Sequence, residues 1–268
     1  MYIKKSFIFI ISILLLFFTS CNERPSPQEV VQFLLDIRNC NFDAVEKGIE
    51  KNKQILNIGY QYLNGFIVYP IHMAVVLGNV DMVKLIAKPN NVNILLKTGA
   101  KTETETWSPL SLAINLNCDP EIIKILLENE ADINFVDEIR GTNIFHEFSV
   151  YRNIDVWEII KEYATPENLN KEGVERGLTP LIALIGEQMR EDNINDPDVI
   201  YLLQSFIEHG GNPNYMIYYR DYAFEVVNFL NNYEVFEYKQ VLLDGMKNSP
   251  PIEDSEILIE MLEEGNKD

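Results

Sequence analysis

The chain has 268 residues and a formal net charge of −19, from 41 Asp and Glu against 22 Lys and Arg. Such acidity argues against nucleic acid and anionic membrane surfaces as partners, and suits a basic protein partner or plain solubility. Three cysteines are too few for a disulfide framework.

The first residues, "MYIKKSFIFIISILLLFFTSC", combine Lys4 and Lys5 with an apolar run from Phe7 to Phe18 broken only by Ser12. As a helix that run would rise about 18 Å, short of the ~20 residues that span a membrane. A basic start, a short apolar core and small residues before a boundary describe a secretory signal. Phe18-Thr19-Ser20-Cys21 resembles a bacterial lipobox, with Phe where Leu is usual. The resemblance implies a signal peptide over 1–20, lipid attachment at Cys21, and a tether over 21–26. An ordinary signal peptide cut nearby is the other reading. Loss of Lys4 and Lys5 with the signal takes the formal charge from −19 to −21.

The segment "SPQEVVQFLLDIRNCNFDAVEKGIEKNKQILN", from Ser26, reads as two helices. Four segments then fall in register: "YPIHMAVVLGNVDMVKLI" from Tyr69, "SPLSLAINLNCDPEIIKILL" from Ser108, "NIFHEFSVYRNIDVWEII" from Asn143, and "TPLIALIGEQ" from Thr179 with "DPDVIYLLQSFIEHGGNPN" after an insertion. Their second positions, Pro70, Pro109, Ile144 and Pro180, lie 39, 35 and 36 residues apart. Each opens with a residue suited to cap a helix, usually followed by Pro, whose missing N–H costs nothing in the first turn. Each short helix is marginal alone and needs its partner helix and the neighbouring pair.

These segments resemble the ankyrin repeat. "YPIHMA", "SPLSLA", "NIFHEF" and "TPLIAL" stand at its opening; "GNVDMVKLI", "DPEIIKILL" and "RNIDVWEII" at its second helix; "PNNVN", "EADIN" and "GGNPN" at its close. The resemblance implies an all-α ankyrin-repeat solenoid of stacked helix pairs with β-hairpin fingers. It places a capping repeat at 27–60, four divergent repeats at 61–215, a degenerate C-terminal repeat at 216–248, and a terminal helix and tail at 249–268. Departures are the long spacing, Pro89 and Glu130 where the close has Gly (turns expected to be distorted), and a polar insertion, "GEQMREDNINDPD". "ILLKTGAKTETETW" reads as two short strands around Gly99-Ala100, an extended finger.

No catalytic residue, metal site or cofactor is expected. Sequence signatures of zinc peptidases, of nucleophile elbows and of phosphate loops are absent. His72 and His146 sit at the ankyrin His position, where the resemblance implies an imidazole bonded to backbone. Asp192, Asp196 and Asp198 lack the spacing of a calcium loop. Trp107 and Trp157 read as packing. Tyr215, Tyr218, Tyr219 and Tyr222 fit an interface patch or the core of a cap equally well. Cys40 and Cys118 read as holding one place in the repeat, the loop between paired helices, with one repeat between them.

The resemblance implies a scaffold without chemistry that binds another protein at its hairpin tips and inner helices. The candidate contacts are Thr102, Glu103, Thr104, Glu105, Asp137, Glu138, Arg140, Glu175 and Arg176. The expected partner is a protein, basic if the acidic surface steers it, with no nucleic acid and membrane contact only through the lipid anchor. A monomer is expected, held in a bacterial cell envelope, at the outer membrane rather than the inner. The alternatives are an immunity-like protein masking a basic toxin and, from another class, an enzyme with an unrecognised site.

Overall fold

A computed structural model describes residues 24–61, 67–98, 105–173, 177–189, 194–232 and 235–265. The signal peptide, Cys21 and most of the tether lie outside the described residues. Among those described, no helix is long and apolar enough to cross a membrane.

The described chain is a succession of helix pairs. The first is α1 (Pro27–Arg38) and α2 (Phe42–Lys51). Then come α3 (Pro70–Val76) with α4 (Val80–Ile86), α5 (Pro109–Asn115) with α6 (Pro120–Glu128), α7 (Ile144–Tyr151) with α8 (Ile154–Ile160), and α10 (Pro180–Gln188) with α11 (Pro197–Glu208). A one-turn helix, α9 (Pro166–Leu169), precedes the last of these. The chain closes with α12 (Arg220–Asn232), α13 (Phe236–Asn248) and α14 (Ser255–Glu264). Two small antiparallel hairpins, β1–β2 (Tyr60–Gln61 with Ile67–Val68) and β3–β4 (Leu96–Thr98 with Glu105–Trp107), project between pairs.

The leading helices pack in order, α1 on α3, α3 on α5, α5 on α7, α7 on α10. Their N-termini follow the expected chemistry. Ser108 and Thr179 accept hydrogen bonds from the N–H groups three residues on, ahead of Pro109 and Pro180. Asn143 caps α7 without a proline and forms a capping box with His146. Inward positions carry the core: Ile71, Ala74, Leu110, Ala113, Phe145, Leu181 and Leu184 are fully buried. Gly48 lets α2 press on α1, because a Cβ there would stand 2.8 Å from the Phe33 ring.

The turn inside each pair repeats one conformation. Cys40, Gly78, Asn117 and Arg152 all take positive φ, at 52°, 61°, 48° and 55°. This corrects the cysteine register. Cys40 is equivalent to Asn117, and Cys118 lies one position later, with Asn79 and Asn153. The shift explains their surroundings: Cys40 is exposed, whereas Cys118 is buried with its thiol 3.5 Å from the Val75 carbonyl. Burial, then the Asp119 charge, raises the Cys118 pKa.

The closes also differ from expectation. Glu130 adopts the left-handed conformation itself (φ 67°), so that turn keeps its course without glycine. Near Pro89, the buried Asn91 side chain accepts from Lys88 N–H and donates to the Ile86 carbonyl. A further close is "ATPENLN", residues 164–170, folded as α9 under a capping box of Thr165 and Asn168. The asparagines stitch neighbours together. Asn93 spans Glu130 O and Asp132 N, and Asn170 spans Gly210 O and Asn212 N, at 2.7 to 2.9 Å.

Candidate protein-interaction face

The finger residues meet the leading helices around one buried polar cluster. Asp137 follows the Val136–Asn143 bridge of the third finger. Its carboxylate accepts from the N–H groups of Ile139 and Arg140 at 2.9 and 2.7 Å. It also accepts from the N–H and hydroxyl of Thr106, on β4, at 2.6 and 2.8 Å. Burial alone would raise its pKa, but the donors of Arg140 and Thr106 together hold it below the usual value. Arg140 lies over the Trp107 ring at 4.1 Å from the centroid, and its Nη1 reaches Glu147 Oε1 at 2.9 Å. Glu147 also accepts from Asn115 at 2.8 Å and from Thr142 at 3.1 Å, and burial raises its pKa. The cluster fastens two neighbouring fingers to α5 and α7.

The histidines behave unequally. Asn143 N–H donates to His146 Nδ1 at 3.1 Å, and His146 Nε2 faces the Leu178 carbonyl at 3.1 Å. His72 is as buried, yet neither ring nitrogen makes a well-formed hydrogen bond. The backbones of Trp107 and Ile94 lie beside it and favour its protonation without offsetting burial. Desolvation lowers both pKa values to about 4. Both rings are structural.

Of the sequence-predicted contacts, Thr102, Glu103, Thr104, Glu175 and Arg176 lie outside the described residues, and Glu105 is placed only as the first residue of β4. Glu138 is exposed. Asp137 is not a tip residue: its side chain is 1% exposed and its carboxylate is taken up by four donors. Arg140 is likewise mostly buried in the cluster. Among the tyrosines, Tyr219 donates to the Gly177 carbonyl and Tyr222 packs on Gly186, so both are internal struts, while Tyr218 is exposed beside Tyr215. Asp192 is outside the described residues, and Asp196 serves as the N-cap of α11. No cluster of three potential metal ligands occurs among the described residues.

The sequence reading missed the most exposed feature of this face. Val76 and Leu77, then Leu116, then Val150 and Tyr151 hold the sixth and seventh positions after the first residue of α3, α5 and α7. Their exposures reach 58% at Val76, 44% at Leu116 and 51% at Tyr151. Asn115 completes the middle repeat. The signal was legible in "VVLGN", "INLNC" and "SVYRN", where apolar residues precede the turn.

Residues 20–137 match a family model described as ankyrin repeats, in three copies. That match takes in the α1–α2 pair and ends in the third finger. Solved structures extend it. The ankyrin repeat domain of Bcl-3, described as a unique member of the IkappaB protein family, aligns with a TM-score of 0.56 at 16% identity. The alignment covers 90% of this chain and 100% of that one. The chain therefore has the ankyrin-repeat fold. No curated protein sequence matches it.

Proposed function

We propose that this chain is a protein-binding scaffold with no chemistry of its own, tethered in a bacterial envelope through lipid on Cys21. The observation that carries the binding reading is the apolar row. One exposed leucine needs no explanation, but apolar residues at one repeat position in three successive pairs form a patch, and patches of that kind mark interfaces. The acidic composition supports a basic partner, drawn in at rates that fall with salt. The Lys4-Lys5 start, the short apolar core and the lipobox-like tetrapeptide support the tether.

The test is capture from envelope extract with the full chain as bait. A stoichiometric partner is expected with the wild type and lost with a Leu116→Glu/Tyr151→Glu double variant of unchanged melting temperature. A partner held equally by both would place binding elsewhere. For the anchor, Cys21→Ala should release the protein from the membrane fraction or stall its processing. A variant cut at the same place and still membrane-bound would remove the lipid from the proposal.

A further inference from the structure

The apolar row has a measurable period, defined ends and a charged border. The leading helices α3, α5 and α7 pack in succession, and packed helices stand about 8–10 Å apart. The row therefore offers an apolar step roughly every 10 Å along the stack. An α-helix advances 1.5 Å per residue, so seven residues cover about 10.5 Å.

The row stops at both ends. One pair earlier, Arg38 and Asn39 hold the equivalent positions; one pair later, in α10, Gly186 and Glu187 hold them. Three steps span about 20 Å, the length of about 14 helical residues.

Beside every step stands an acid. The first turns of the trailing helices place Asp81, Asp119 with Glu121, and Asp155 on the exposed border. The border ends in a depression of about 450 Å³ where Tyr151, Ile154 and Val199 offer apolar surface between Asp155 and Asp198. Arg152 also lines it, but its guanidinium turns back onto the carbonyls of Val150 and Ser149 at 3.0 and 3.4 Å. A second copy of this chain is a poor occupant, since each carries a net charge of −19.

We infer that the row receives an amphipathic helix of a partner protein, about two heptads long, laid along the stack. It presents one apolar residue to each repeat every seven positions and lysine or arginine along the flank facing the acids. Its last basic side chain enters the depression, stem against Tyr151 and Val199, head toward Asp155 and Asp198. This rests on the scaffold reading and adds the shape and charge of what is bound.

The probe is a synthetic helical peptide with leucine at the heptad contact positions and lysine on one flank. Its control carries glutamate in place of each lysine. Both are titrated by fluorescence anisotropy into the full chain. The lysine peptide is expected to bind, at least tenfold more weakly to Leu116→Glu. Asp155→Asn with Asp198→Asn, at exposed positions that the fold does not need as anions, should weaken it severalfold and flatten its salt dependence. Equal binding of the glutamate peptide, or an affinity unchanged in Leu116→Glu, would overturn the inference. If a native partner is captured through Leu116 but cross-links through an extended segment, the helix is wrong and the scaffold stands. If capture fails altogether, the scaffold reading fails with it.

Discussion

The repeats before and after residue 137 reach one fold by different chemistry. Repeats one and two, from Tyr69 to Asn134, follow the family pattern: Pro-led leading helices, small Ala74 and Ala113 at the contacts, aliphatic trailing helices. Repeat three has Ile144 where Pro should stand, Phe148 in place of the small residue, and Trp157 in its trailing helix. These bulky residues pack as one stack. Trp157 lies 4.4 Å from Phe206 and 5.5 Å from Phe148, and its Nε1 donates to Ser205 at 2.8 Å. Repeat three also gains ties that repeats one and two lack, such as the Ser149 hydroxyl bonded to the Pro180 carbonyl at 2.8 Å. The family match ends where the pattern ends, but the stack continues because volume and hydrogen bonds are supplied by other residues.

If the aromatic stack does replace the pattern, its loss should be the most damaging single change in the second half. Trp157→Ala is expected to cost about 3–5 kcal/mol, the usual penalty for emptying a fully buried indole site. Denaturant titration measures it. Hydrogen exchange should show α8 and α11 opening ahead of α3 to α6. Uniform loss of protection along the chain would mean that the two halves are not distinct.

Acid should strain both halves through one histidine each. The folded-state pKa values of His72 and His146 are about 4, against about 6.5 when unfolded. The unfolded chain thus binds more protons between those values, so this stability is present above pH 6.5 and is lost as pH falls toward 4. The loss is on the order of 3 kcal/mol per ring. His72→Gln and His146→Gln should each flatten that part of the stability curve. A variant whose slope matches the wild type would show that its ring is already protonated when folded.

Asp137 joins the halves, and Asp137→Ala should cost about 2 kcal/mol, since it strands the four donors that its carboxylate satisfies. Thermal melts read the loss, and hydrogen exchange at Thr106 should rise first. Protection at Thr106 equal to that of the wild type would mean that the carboxylate does not hold the two fingers together.

These sites divide by how legible they were. Helix positions, the fingers and the packing role of Trp157 follow from periodicity and capping residues that act locally. Asp137 was misread because its charge suggests a surface and nothing nearby in sequence names its partner: Thr106 lies 31 residues earlier. The close at 164–170 was overlooked because it keeps only the final Asn of the pattern, although Thr165-Pro166 and Asn168 spell a capping box. The apolar row was visible but reads as core until the stack shows which helix faces are left open.

The smallest expected effect tests a place where the first half is the irregular one. Glu130 and Gly210 hold equivalent positions in "EADIN" and "GGNPN", with φ of 67° and 102°. A non-glycine residue there carries about 1–2 kcal/mol of backbone strain. Glycine relieves that strain but loses about 0.5–1 kcal/mol more entropy on folding. Glu130→Gly should therefore stabilise the chain by about 0.5 kcal/mol, since its carbonyl bond to Asn93 is a backbone contact that the change retains. The reverse change is worse than strain alone, because a Cβ on Gly210 would stand 2.6 Å from Pro166 Cγ. Gly210→Ala should lower the melting temperature while Glu130→Gly raises it. If both lower it, the Glu130 side chain contributes to the close in its own right, and the two halves differ at this turn as well.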